Sequence, residues 1–383
     1  MKLFIFAGEA SGDLHGSRLL KALFDVEKNL TVEGVAGPLM RKENISTFMK
    51  TENFSVMGFT DVFLALPSLI KKFYTIRDHI LKTKPDGVVL IDYPGFNLRL
   101  ASHLRKKGYL GKIIQYISPT VWAWGKRRIH TMNRTLDLLL TIYPFEKEYF
   151  SHLPLYSSKV PLKIEYVGHP LQETLQNYAY TPFEKKKESP LIAVFPGSRE
   201  GEIKRNFPKI LESLNQIKNS VPNAIFAIST ADDRAKEFFL RHLNEKENRF
   251  LLVPKEKRYE LMWACDAAIA KSGTVALELA LHKKPSVIMY ELSFLNRFIA
   301  TYILRLKLPF YCIVNILKKK QVFKEFIEKK STPQKIAEEV KELIFNAKKR
   351  QDCIQACEEI HDLLKEKDGS KRAALSILKE LSC

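Results

Sequence analysis

Two short glycine turns carry the residues best suited to hold phosphate: Pro196-Gly197-Ser198-Arg199 after an apolar run at 191–195, and Ser272-Gly273-Thr274 after another at 267–270. Small residues where a buried strand passes into a helix leave backbone N–H groups and the positive end of the helix dipole facing one point. Arg199 adds a fixed cationic fork to the first turn, and Glu278, four residues past Thr274, adds an acceptor for sugar hydroxyls one helical turn away. Phosphate donors beside a hydroxyl acceptor point to a nucleotide, and specifically to a nucleotide sugar.

The first half holds a second set of chemistry-bearing residues. Ile91-Asp92-Tyr93-Pro94-Gly95-Phe96-Asn97 places the Asp92 carboxylate at the end of an apolar strand. Partial burial there lifts a carboxyl toward the pKa that a general base needs, and an Asp capping the turn before Pro94 is the structural alternative. Gly8-Glu9-Ala10-Ser11-Gly12-Asp13 follows the first apolar run and lacks the G-x-G-x-x-G spacing of a dinucleotide fingerprint, and no G-x-x-x-x-G-K-[ST] occurs anywhere. The stretch reads either as a tight turn capped by Ser11 or Asp13 or as a substrate loop, with His15 one turn into the helix. In Ser118-Pro119-Thr120-Val121-Trp122-Ala123-Trp124, the pair Trp122 and Trp124 stands just before Lys126-Arg127-Arg128. Aromatic faces there suit a sugar or an acyl chain, or else core filling.

These residues need a scaffold, and its rhythm is visible. Strand-length apolar runs occur at 3–7, 32–35, 88–91, 113–116 and 138–142, and again at 191–195, 224–228, 250–253, 267–270 and 286–289, with helical stretches between. Near-continuous apolar strands alternating with helices predict parallel sheets covered on both faces, hence an α/β chain of two Rossmann-like domains. Ligands in such sheets gather beyond the carboxyl ends of the strands, which predicts a cleft between the domains with acceptor on the N-terminal side and nucleotide on the C-terminal side. The expected division is 1–168, 169–345 and a helical segment 346–383 packing back on the first domain, with a last helix after Gly369.

Composition narrows the class. The chain has 383 residues, 45% of them hydrophobic and 27% charged, as in ordinary globular proteins. No run approaches the roughly 18 apolar residues of a membrane span, and the N-terminus reads as a strand rather than a signal peptide, so a cytoplasmic protein is expected. The net charge of +19, from 62 Lys+Arg against 43 Asp+Glu, implies a polyanionic or phosphorylated partner, while the lack of nucleic-acid-binding signatures argues against nucleic acid. Five scattered cysteines predict reduced thiols, and Cys353, Cys357 and His361 at helical spacing have no second ligand cluster, so no metal is expected. Within 62–81 the apolar residues Val62, Leu66, Leu69, Phe73, Ile76 and Ile80 mark an amphipathic helix, expected to start at Pro67, and 295–308 raises the same question with Phe298, Tyr302 and Leu306. Either stripe packs on the core or meets a membrane.

The motifs together resemble one family, the lipid-A-disaccharide synthases, which are inverting glycosyltransferases of the two-Rossmann (GT-B) type. The similarity runs nearly end to end through GEASGD at 8–13, GVAGPLM at 34–40, VMGFTDV at 56–62, IDYPGFN at 91–97, SPTVWAW at 118–124, PFEK at 144–147, GHP at 168–170, PGSR at 196–199 and SGTVALE at 272–278. The resemblance implies transfer of 2,3-diacylglucosamine from UDP-2,3-diacylglucosamine to the 6-hydroxyl of 2,3-diacylglucosamine 1-phosphate, giving a β-1,6 disaccharide and UDP without metal or other cofactor. It implies Asp92 as base, Gly197, Ser198 and Arg199 on the pyrophosphate, Ser272, Gly273 and Thr274 capping it, and Glu278 on the ribose. Glu9, Ser11, Asp13, His15, Asn97, Trp122 and Trp124 belong to the acceptor side. The family works peripherally on the cytoplasmic face of the inner membrane of Gram-negative bacteria, so the charge and the 62–81 stripe become a basic, apolar rim for anionic lipid.

Three positions depart from the family pattern. Gly95 stands where an acidic residue is frequent. The family's Pro-Asn…Gly-Arg stretch appears here as Val314-Asn315-Ile316-Leu317-Lys318-Lys319-Lys320, keeping Asn315 but placing Lys319 at the glycine and Lys320 at the arginine. The resemblance places Asn315 and Lys320 among the residues that hold the nucleotide sugar, with Lys320 keeping the charge and losing the bidentate fork. The competing readings are a non-hydrolysing UDP-sugar epimerase on the same architecture, which lacks a use for the Trp pair, and a basic binding protein, which leaves the glycine turns without purpose.

Overall fold

The computed structural model describes residues 1–383 except 55–58, 124, 152–161, 186–187, 244–248, 294–307, 329–330 and 383, with the backbone alone at 59–66 and 151. Trp124 and the 295–307 part of the second amphipathic stretch, with Phe298, Tyr302 and Leu306, therefore lie outside the described residues. The chain forms two compact units, Met1–Gln176 with Leu364–Cys383, and Asn177–Leu363.

In the first unit the strands are β1 (Lys2–Ala7), β2 (Thr31–Ala36), β3 (Ser46–Lys50), β4 (Gly87–Ile91), β5 (Lys112–Tyr116), β6 (Leu138–Thr141) and β7 (Lys163–Tyr166). They lie in the order β3-β2-β1-β4-β5-β6-β7, and every pairing is parallel. The helices are α1 (Ala10–Val26), α2 (Phe59–Thr83), α3 (Pro94–Lys106), α4 (Arg127–Thr135), α5 (Pro144–Ser151) and α6 (Pro170–Gln176). The order reverses between β1 and β4, so the turns after these two strands open side by side at a topological switch point. Those turns hold Gly8-Glu9 and Asp92-Tyr93.

The second unit repeats the plan with β8 (Leu191–Phe195), β9 (Ile225–Thr230), β10 (Phe250–Pro254), β11 (Ala267–Lys271), β12 (Ser286–Tyr290) and β13 (Lys324–Ile327), ordered β10-β9-β8-β11-β12-β13 and parallel throughout. Its helices include α7 (Glu200–Ser220), α8 (Asp233–His242), α9 (Arg258–Ala264), α10 (Thr274–Leu281), α11 (Ile313–Lys318), α12 (Pro333–Phe345) and α13 (Ala347–Leu363). Here the switch point lies between β8 and β11, and both glycine turns emerge at it. The last helix, α14 (Gly369–Leu381), packs in the first unit against α1, whereas α13 stays with the second.

Side-chain patterning explains the layers. Strands β1, β4 and β8 are buried along nearly their whole length, so both faces must be covered. One face of the first sheet takes Leu19, Leu20 and Leu23 of α1 with Ala373, Ala374 and Ile377 of α14, and the other takes Ile76 and Ile80 of α2 with Leu100 and Leu104 of α3. This corrects the lipid-facing reading of the 62–81 stripe over its described part. Ile76 and Ile80 are fully buried and Leu69 and Phe73 pack on the same core, because a 3.6-residue stripe beside an apolar sheet gains most by covering it. Among the described residues of that helix, Ile70 and Tyr74 are the exposed large apolar ones. Pro67 falls inside α2 rather than at its start.

Candidate active site

Asp92 directly follows β4 in a conformation that few residues adopt. Its φ is 47° and that of Tyr93 is 44°, two consecutive left-handed residues without glycine. Each such residue costs on the order of 1–2 kcal/mol, so neighbours must hold the turn. Gln115 Nε2 donates to the Asp92 carbonyl at 3.0 Å and to that of Ile117 at 3.2 Å. Asn97 Nδ2 donates to the Asp92 carbonyl as well and to Ile91 O at 3.3 Å, and both amide side chains are completely buried. Below the turn, Phe6 stacks on Phe96 with ring centroids 4.6 Å apart. Burial pushes the Asp92 carboxyl above the ordinary carboxylate range, against a lowering hydrogen bond from the Tyr93 backbone. A fixed carboxylate of raised basicity at a strand end is suited to take a proton from a hydroxyl.

The other first-unit residues take different places. Glu9 is the exposed N-cap position of α1 and lies within electrostatic reach of Tyr93, and Ser11 is exposed on the first turn. Neither Ser11 nor Asp13 caps α1. Asp13 is buried and accepts from Leu39 N at 2.8 Å and Met40 N at 2.9 Å, so its carboxylate anchors the turn after β2, and Gly37 is required because a Cβ there would lie 2.3 Å from Asp13 Cγ. His15 packs near Arg18 and His169, and burial first, then Arg18, lowers its pKa to about 4, leaving a neutral imidazole at pH 7. Trp122 is half-buried with its indole N–H donating to Glu146 Oε1 at 3.1 Å, and its ring meets Phe145 edge-on at 5.2 Å.

In the second unit Gly197 has φ 134° and a Cβ there would lie 2.9 Å from Glu202 Cβ, so this turn requires glycine. Ser198 and Arg199 are exposed, and Arg199 is the N-cap residue of α7, whose backbone carbonyl accepts from Glu202 N at 2.9 Å and Ile203 N at 3.0 Å. Gly273 is the extended N-cap residue of α10, Thr274 begins that helix at the surface, and Ser272 Oγ donates to Tyr311 O at 3.4 Å. Two helix N-termini of adjacent crossovers thus open at one switch point, an arrangement able to receive a pyrophosphate.

Glu278 is buried on α10. Tyr259 donates to its Oε1 at 2.9 Å and Arg258 lies 3.7 Å away, while burial raises its pKa against these partners. Asn315 is wholly buried and committed to partners inside the protein: its Oδ1 accepts from Val322 N and Phe323 N, and its Nδ2 donates to Phe323 O and to the Glu325 carboxylate. It organises the loop after α11. In that loop Lys319 has φ 51°, a left-handed conformation that favours glycine, and Lys320 is exposed with its Nζ 4.0 Å from Glu359 of α13.

A family model described as Lipid-A-disaccharide synthetase matches residues 3–378. The chain belongs to the lipid-A-disaccharide synthetase family. Among curated members, the Lipid-A-disaccharide synthase of Chlamydia abortus is 37% identical over 362 residues, covering 93% of this chain and 56% of that protein. The one from Myxococcus xanthus is 30% identical over 385 residues, covering 99% and 97%. This chain therefore spans less than two thirds of the length of the chlamydial relatives. The UDP-GlcNAc 2-epimerase of Neisseria meningitidis, solved with UDP-GlcNAc bound, superposes with TM-score 0.64 at 12% identity over 99% of this chain and 100% of that one, a likeness of fold.

Within this lipid-A-disaccharide synthetase member, several residues around the expected site had no motif to announce them. Gln115 reaches the Asp92 turn from another strand, and Arg258 and Tyr259 of α9 meet Glu278 from outside its helix, whereas Glu146, which meets Trp122, does lie in a motif block, PFEK at 144–147. The signal available was polar type alone: Gln115 is a lone amide in the buried strand β5, where a polar side chain must find partners. Among the described residues no helix is long and apolar enough to cross a membrane.

Proposed function

We propose that this chain transfers 2,3-diacylglucosamine from its UDP derivative to the 6-hydroxyl of 2,3-diacylglucosamine 1-phosphate, with inversion. The observation that carries the reading is the Asp92 turn at a switch point, whose strained backbone is clamped at its carbonyl by two buried amides and whose carboxyl has a raised pKa. In the proposed step the acceptor oxygen attacks C1 of the donor sugar and its proton passes to Asp92. The bond from C1 to the pyrophosphate oxygen breaks, its electron pair leaving with UDP. Gly197, Ser198 and Arg199 with Ser272, Gly273 and Thr274 receive the pyrophosphate, and Glu278 takes the ribose. Backbone N–H groups aimed at developing charge cost no reorganisation as the bond breaks, which supports this assignment.

Glu9, Ser11 and Trp122 are assigned to the acceptor side, and Asp13, Asn97 and Asn315 to holding the loops that carry it and the donor. The acyl chains of both substrates require a lipid surface, and the net charge of +19 supports peripheral docking on anionic lipid at the cytoplasmic face of the inner membrane. Incubation with both substrates in detergent or lipid is expected to yield disaccharide 1-phosphate and UDP in equal amounts. Release of UDP without disaccharide, or no product at all, would overturn the proposal.

A further inference from the structure

We propose that Lys271 is a second pyrophosphate-binding cation, placed to share with Arg199 the charge that develops on the departing UDP. The inference rests on the reading that the second unit takes a UDP-sugar at its glycine turns.

Lys271 is the last residue of β11, immediately before Ser272-Gly273-Thr274. Ala270 pairs with Phe195, so the strand delivers Lys271 beside the other turn, which begins at Pro196. Its Nζ lies 3.2 Å from Glu202 Oε1 and 3.7 Å from where a Cβ on Gly273 would stand, and it sits 4.8 Å over the Tyr290 ring. Glu202 in turn crowds Gly197 and lies 3.7 Å from Arg199. One ammonium therefore bridges the two phosphate-receiving turns.

The accessibilities say how this group differs from an ordinary ion pair. The Glu202 side chain is 8% exposed, that of Lys271 20% and that of Arg199 82%. A single buried carboxylate faces two cations, one held close on a flexible four-carbon stem and one projecting into solvent. An incoming pyrophosphate brings the negative charge that balances both, and Lys271 reaches it by rotating its stem away from Glu202 while the carboxylate stays near Arg199. Lys320, where the family pattern leads one to look for this charge, is instead exposed beside Glu359.

The alternative role is neutralisation of Glu202, and binding to ligands with and without phosphate separates the two. With the full chain, UDP and uridine are titrated against the wild type, Lys271→Met, Lys271→Arg and, as a control of equal charge, Lys283→Met. Lys271→Met is expected to weaken UDP at least tenfold and uridine less than twofold, Lys271→Arg to stay within about threefold for both, and Lys283→Met to match the wild type. Should Lys271→Met fold poorly with Glu202 left unpaired, the pair Lys271→Met with Glu202→Gln removes both charges and is expected to show the same selective loss. Unchanged UDP affinity, or equal loss for uridine, would overturn the role of Lys271 alone. A wild type that does not bind UDP would overturn the underlying reading with it.

Discussion

Trp122 donates its indole N–H to Glu146 across 3.1 Å, tying the loop after β5 to the first turn of α5. Glu146 also accepts from the backbone N–H of Ile142 and Tyr143, and it is completely buried. The carboxylate is thus the fixed point from which the Trp122 loop is aimed.

Burial raises the Glu146 pKa to about 7, against the opposing hydrogen bonds. A group whose folded pKa lies above its unfolded value stabilises fully below the unfolded value, near 4.5, and that stability is lost as pH rises through 7. The loss is on the order of 3 kcal/mol over this window. Glu146→Gln, which cannot ionise, is expected to flatten the decline. Urea midpoints of both proteins from pH 4.5 to 8 check this, and parallel curves would contradict it.

Asp92→Asn keeps the shape of the turn and removes the base. Turnover is expected to fall at least a thousandfold while the Kd for UDP changes less than twofold, since the turns proposed to receive the nucleotide belong to the other unit. Because burial raises the Asp92 pKa, kcat of the wild type is expected to climb with pH on an acid limb lying above the usual carboxylate range. Turnover by the Asn variant near the wild-type rate would remove Asp92 from the mechanism.

Gln115 holds the Asp92 carbonyl without being near enough in sequence to belong to the turn. Gln115→Leu leaves that carbonyl and the one of Ile117 without this donor, at a cost of about 1–3 kcal/mol. We expect kcat to drop about tenfold with little change in donor KM, because the base is misplaced while the nucleotide contacts are intact. A loss of stability with full kcat would mean that the clamp serves the fold only.

Lys319 occupies a left-handed backbone at the end of α11. Lys319→Gly is expected to relieve the strain and raise stability by about 1 kcal/mol, reduced somewhat by the greater freedom of glycine in the unfolded chain. Thermal unfolding of the two proteins measures the difference, and a lower midpoint for the glycine variant would show that the lysine's other contacts outweigh the strain.

The ten apolar runs in the sequence all became strands, with ends shifted by no more than two residues, because central parallel strands must be apolar on both faces. The three strands without such runs, β3, β7 and β13, lie at the sheet edges, where partial exposure leaves them a mixed pattern. The motif blocks also fall on the left-handed turn at Asp92 and on the two glycine turns, since a tight turn after a buried strand demands residue types that are visible in one dimension.

Tertiary structure decided what surrounds them. That Asp13 and Asn315 serve neighbouring backbone, that Ile76 and Ile80 cover a sheet, and that Gln115, Glu146 and Lys271 stand at the turns are facts of strand order and register. These contacts join residues distant in the chain, whose side chains are directed by packing rather than by any local pattern. The local code determined where strands pass into helices through small residues; only the folded sheets determined which buried amides, carboxylates and cations stand around those turns.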